Sequence, residues 1–150
     1  MSFRFRFASI LQLRCRERDT AAAGVEEVDR AISLVDQQIE DSRAELNDLA
    51  EQRKAASTGN VAIGSLMDFQ RHQLILMGNI QYLSQQRSTL LQEKTRRDIK
   101  LMKAQQAVKS FENLSEQQNA EFKKIEAERL QSRLDEWSNT RVVSGRNLDS

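Results

Sequence analysis

From Val25 the apolar residues recur at alternating intervals of three and four. The run is Val25, Val28, Ile32, Val35, Ile39, Leu46 and Leu49, with Ser42 the one polar intrusion. A second register keeps the same rhythm from Leu66 through Phe69, Gln73, Leu76, Ile80, Leu83, Arg87, Leu90, Lys94, Arg97, Leu101, Ala104, Val108, Phe111, Ser115, Gln118 and Phe122 to Ile125. Twelve of those eighteen positions are apolar, and the rhythm never skips. A sustained 3.5-residue repeat holds one narrow stripe toward a partner helix, which is the signature of a coiled coil. The pattern predicts an all-α fold, a long antiparallel two-helix coiled-coil hairpin with unequal arms. Helix one is expected over residues 8–56, a turn over 57–65, and helix two over 66–138. Together they form a single coiled-coil domain over 1–141, with 142–150 a disordered tail because periodicity is lost after Thr140.

Between the registers lies STGNVAIGS, which holds two of the five glycines. Gly59 or Asn60 is expected in the left-handed conformation that closes a helix. Ser65 followed by Asp68 reads as a capping box opening the next. Gly59 and Gly64 have the spacing of a phosphate loop, but Ser65 stands where that motif needs lysine, so a turn is the stronger reading.

Composition narrows the classes further. The 150 residues contain no proline and five glycines, with 30% charged and 5% aromatic residues, which suits few, long helices. One cysteine, Cys15, and one histidine, His72, cannot build a zinc site or an intrachain disulfide. Acidic residues sit on expected solvated helix faces rather than around a cleft, so no catalytic set is expected, no cofactor and no metal. No apolar run approaches the length of a membrane span, and the N-terminus lacks a signal-peptide core. A cytoplasmic, non-enzymatic protein is expected.

The net charge of +1 conceals four alternating blocks: +4 over residues 1–18, −6 over 19–60, +5 over 61–110 and −2 over 111–150. Folding the chain about residue 60 lays the acidic arm along the basic one. Arg87, Lys94 and Arg97 then fall on the seam at roughly the height of Glu26, Glu27, Asp29 and Asp36, to which their heads can snorkel.

Three surfaces remain. The N-terminal FRFRFASILQLRCRER alternates aromatic residues with Arg before shifting to helical spacing. Phe7, Ile10 and Leu11 are expected to pack on helix two, in preference to a lipid or nucleic-acid contact. Around the start of helix two, Leu74, Ile75 and Met77 lie off the seam and suggest a docking face near the tip. At the far end, Phe122, Ile125, Leu130, Leu134 and Trp137 are expected on an overhang that helix one does not reach.

These features together resemble the FliJ family. The resemblance rests on FRFRFASILQLRCRERD at residues 3–19, the Gly-containing turn near residue 60, MDFQRHQLILMGNI at 67–80 and ERLQSRLDEWSNTR at 128–141. It implies a general chaperone and central-stalk component of the bacterial flagellar type III export apparatus, on the cytoplasmic face of the inner membrane. The implied partners are a hexameric export ATPase (FliI-like), an export gate protein (FlhA-like) and export chaperones, with no nucleic acid. Carried over by position, the resemblance suggests Gln38, Leu49, Phe69, His72, Leu76 and Leu83 as gate contacts. It suggests Phe122, Ile125, Leu130, Leu134 and Trp137 as contacts to the ATPase ring. Where the family has aromatics this chain has Glu45, Leu49 and His72, and Asn79 replaces an alanine-like position. The alternatives are a self-associating structural coiled coil or the equivalent stalk of a virulence injectisome.

Overall fold

A computed structural model describes residues 2–57, 59 and 63–148. It contains two helices packed against each other, α1 over Ala8–Ala56 and α2 over Ile63–Leu148, and no strand among the described residues. The arms are unequal, 49 residues against 86. The heptad stripe is the buried one. Val28, Val35, Ile39, Leu49, Leu76 and Val108 all belong to it and are all buried, and sixteen of the eighteen seam positions of α2 are at least half-buried. Only Leu66 and Ile125, its two ends, are exposed. On α1 the same interval runs further upstream than the apolar pattern shows, through Leu11, Arg14, Arg18 and buried Ala21. Two charged residues and a small one hid that extension.

α2 is longer at both ends than its periodicity suggests. It opens at Ile63, so Ser65 lies inside the first turn and does not cap it. It continues past Ser138 through RVVSGRNL to Leu148, where an irregular tail is expected from the sequence. Once a helix is nucleated, each added residue gains a backbone hydrogen bond for one residue fixed, and no proline intervenes. Periodicity reports packing, whereas helicity needs only propagation. Among the described residues α1 ends without a left-handed one: Gly59 does not have positive φ, and Thr58 and Asn60 lie outside the described residues. Instead the Ser57 amide donates to the Arg53 carbonyl at 3.0 Å and its hydroxyl to the Lys54 carbonyl at 2.8 Å. Arg53 and Lys54 in that last turn also complement the negative end of the helix dipole.

Contacts divide the chain into two compact units, residues 1–17 with 104–150 and residues 18–103, where the sequence suggests one. In the second unit the antiparallel register is pinned by seam cations. Arg87 Nε donates to Asp36 Oδ1 at 2.5 Å, and Lys94 Nζ to Asp29 Oδ1 at 2.6 Å. Arg97 Nη1 donates to the Gly24 carbonyl at 2.7 Å and reaches Glu27 at 3.4 Å, while its Nε donates to Glu93 Oε1 at 3.0 Å. Each base thus meets an acid that charge alternation had placed at its height; Glu26 makes no such pair. Reflection about residue 60 sets Asp36 level with Ser84, and the observed partner is Arg87, one turn further along. Helical side chains lean toward the N-terminus, so a long cation reaches an acid lying about a turn behind its own Cα.

In the first unit residues 2–5 before α1 have no regular secondary structure, and Arg6 and Phe7 form a turn in which the Ala8 amide donates to the Phe5 carbonyl at 3.3 Å. Phe3, Phe5 and Phe7 are half-buried while Arg4 and Arg6 are exposed, a period-two alternation that makes this segment a strap with one face down. The Phe3 ring lies 5.7 Å from that of Phe122, and the Phe7 ring 6.5 Å from that of Phe111. From Phe111 to Phe122 is about 16 Å along a helix at 1.5 Å per residue. The rings of a five-residue segment therefore reach residues about three turns apart on α2.

Candidate functional site

The grooves along the paired helices are open to solvent, and among the described residues no side chain is more than 98% buried. Among them no group of three or more His, Cys, Asp or Glu could hold a metal. No helix is long and apolar enough to cross a membrane. The candidate chemistry is therefore that of surfaces, and the structure sorts the residues singled out from sequence into three environments.

The first environment is the core. Leu76 is 4% exposed and Leu49 is 7% exposed. Both belong to the seam; Leu76 is closed off by this burial, while Leu49 reaches the surface only as part of the wall of a groove near the turn. The spacing that makes a residue a heptad core position also makes it match a contact position, and burial separates these two from the exposed candidates. Phe69 and Leu83 are half-buried at the edges of the same seam.

The second environment is a pair of shallow grooves along the hairpin. One is lined by Gln38, Asp41 and Ser42 of α1 with Asn79, Tyr82 and Leu83 of α2. It brings Gln38 and Leu83 together. The other, nearer the turn, joins Leu46, Leu49 and Arg53 to Phe69 and Gln73. Gln38 and His72 are both exposed and available to a partner. Tyr82, 61% exposed and bonded by the Gln86 amide at 2.9 Å, belongs to the first groove but was not singled out from sequence. Its off-seam position beside Leu83 was the available signal.

The third environment is the end of α2. From Lys123 to Arg146 every residue is exposed. Phe122 is not part of this free surface, because the Phe3 ring covers it; that correction follows from the strap, which extends the covered seam one step beyond α1. Ile125 marks the edge at 49% exposure. Continuing the seam rhythm from Ile125 lands on Arg129, Ser132 and Glu136, all polar. Leu130 and Trp137 stand one position on from Arg129 and Glu136, and Leu134 two on from Ser132, so all three are rotated by about 100° or more around the helix. They form a separate apolar stripe, with the Arg141 guanidinium 4.8 Å above the Trp137 ring. The overhang thus carries its own face, distinct from the one that pairs the helices.

Cys15 is half-buried in α1, and a groove beside it is lined by Phe5, Leu11 and Arg16 with Ser115. Ile10, expected to pack on the second helix, is 38% exposed, while Phe3 and Phe5 join Phe7 in that contact. The aromatic rings of the N-terminus face α2, which removes them from any lipid or base-stacking role in this conformation.

No curated protein and no solved structure matches the chain. A protein-family match described as Flagellar FliJ protein covers residues 3–147, nearly the full length, including the aromatic strap, both helices and the overhang. The chain therefore belongs to the FliJ family, which relates it to flagellar protein export.

Proposed function

We propose that this protein couples an export ATPase to an export gate, binding each through a different surface and hydrolysing nothing itself. The observation that supports this reading most directly is the change of face on α2. The seam ends at Ile125, and a second apolar stripe of Leu130, Leu134 and Trp137 stands exposed on a stretch of α2 beyond the seam. Burying such a stripe in a ring of ATPase subunits recovers hydrophobic stabilisation of roughly 25 cal/mol per Å² of apolar surface. A ligand that binds the assembled ring better than its free subunits favours assembly by mass action. The gate would meet the hairpin unit, at the groove where Gln38 and Leu83 converge and at exposed His72. Phe69 flanks that surface; Leu49 and Leu76 support it from within. Export chaperones are further partners on this reading, and its place is the cytoplasmic face of the inner membrane.

Combining Leu134→Asp with Trp137→Ala tests the ATPase arm. Neither residue contributes to the buried seam, so helicity should be retained while stimulation of the export ATPase is lost. Stimulation equal to that of the parent protein would remove the overhang from this role. For the gate arm, Gln38→Ala with His72→Ala should weaken capture of the gate's cytoplasmic domain, and undiminished capture would eliminate these positions.

A further inference from the structure

Within the unit of residues 18–103, a groove of about 700 Å³ runs between the two arms. On α1 it is lined by the short side chains of Thr20, Ala21 and Ala23 and by Gly24. Its rim carries four cations, Arg30 from α1 with Arg96, Arg97 and Lys100 from α2, against two acids, Glu27 and Glu93. Both acids are already engaged. Glu93 accepts from Arg96 Nη1 at 2.8 Å and from Arg97 Nε at 3.0 Å, and Glu27 lies 3.4 Å from Arg97 Nη1. Arg30 and Lys100 are exposed, and among the described residues neither has an ion-pair partner. Four cations less two acids leave the rim at +2. Further along the seam the charges cancel instead, Arg87 against Asp36 and Lys94 against Asp29.

The placement of the two spare cations specifies what would neutralise them. Reflection about residue 60 sets Lys100 level with Thr20, and so about 15 Å along the axis from Arg30 at 1.5 Å per residue. Helical side chains lean toward the N-terminus of their own helix, and the arms are antiparallel, so these two lean toward each other. Their heads are drawn in toward the spacing of carboxylates two turns apart on a third helix, about 10.5 Å. One small anion would reach only one of them. A nucleic-acid strand suits the groove poorly: Glu27 and Glu93 repel phosphate, and no aromatic ring lines it for a base to stack on. We infer that this groove seats an acidic helical segment of another protein, whose carboxylates two turns apart meet Arg30 and Lys100 while its backbone passes over Ala23 and Gly24. This surface is separate from the overhang and from the groove at Gln38 and Leu83.

The probe is a fluorescent alanine-based helical peptide of about 20 residues with glutamates two turns apart on one face. It is titrated with the full chain at low ionic strength, where charge pairing is least screened, and followed by anisotropy. Saturable binding is expected. Arg30→Gln combined with Lys100→Gln should raise the dissociation constant at least about tenfold, with helicity by circular dichroism unchanged. Ala23→Leu alters no charge but fills the groove, and should weaken binding to a similar degree. A peptide of the same composition with its glutamates spread around the helix should bind at least about tenfold more weakly. Absence of saturable binding would overturn the inference. So would equal binding of the rearranged peptide or indifference to Ala23→Leu, either of which marks a diffuse basic surface rather than a seat. Tighter binding of single-stranded oligothymidylate, lost in the same variants, would overturn it in favour of nucleic acid.

Discussion

Gly24→Ala should make this protein more stable, although Gly24 sits at the closest approach of a seam cation to the opposite backbone. The Gly24 carbonyl accepts the Arg97 Nη1 hydrogen bond at 2.7 Å, and an obvious reading is that glycine is needed to admit the guanidinium. The distances say otherwise. A Cβ at residue 24 would stand 3.8 Å from Arg97 Cδ and 3.9 Å from Nη1, which is ordinary van der Waals contact. Gly24 lies well inside α1 and has no positive φ that alanine would strain. What remains is helix propensity, a gain of about 0.8–1.0 kcal/mol on replacing glycine by alanine, much of it from restricting the unfolded chain. For a chain of this length that corresponds to a rise of about 2–4 °C in Tm.

Urea and thermal unfolding followed at 222 nm measure the gain. Repeating the substitution in an Arg97→Met background closes a double-mutant cycle. The coupling between the two sites should fall within about 0.5 kcal/mol of zero, the spread seen for sites that do not interfere. A Gly24→Ala protein less stable than its parent, with the loss abolished by Arg97→Met, would show that the guanidinium does need the missing methyl, and the packing argument would be wrong.

Two further outcomes follow from the seam. Leu76→Ala removes a side chain that is 4% exposed and should cost about 2–5 kcal/mol in chemical denaturation; a loss under about 1 kcal/mol would mean that the seam repacks around the gap. The Lys94 ammonium is held above its ordinary value of 10.5, chiefly by the hydrogen bond to Asp29. A cation whose pKa rises on folding stabilises the fold fully below its unfolded value and loses that contribution as pH climbs through the folded one. The stability difference between the parent and Lys94→Met should accordingly stay flat through neutral pH and shrink only in the alkaline range above 10.5. Convergence of the two thermal melts near neutrality would contradict this.

Much of the fold was legible because one physical rule governed most of the chain. Intervals of three and four mark the residues facing a partner helix, and Val28, Ile39, Leu76 and Val108 are buried accordingly. Charge alternation added the register to within about a turn: Arg87 meets Asp36 and Lys94 meets Asp29, both among the acids expected at roughly that height. The same rule was blind where burial and helicity part company. Arg14, Arg18 and Ala21 continue the α1 seam without being large and apolar. RVVSGRNL is helical without any seam at all. The candidate contacts were the least legible. Leu49 and Leu76 satisfy the core pattern so well that sequence position could not separate a surface contact from a buried one. Phe122 looks free in the sequence because a helical partner runs out before it, and a non-helical strap covers it instead.

That strap gives the chain two different reading frames for length change. Along α1 and α2 a seam residue returns to its face after seven positions, so an insertion or deletion preserves the stripe only in sevens. Between Phe3 and Phe7 the face returns after two. One residue inserted there would turn the aromatic rings before it to solvent and press an Arg side chain on Phe122. Two inserted together would restore the face and merely lengthen the span. Variation among proteins built this way should therefore come in even steps before α1 and in heptads after it, and the change of step would mark where the strap ends.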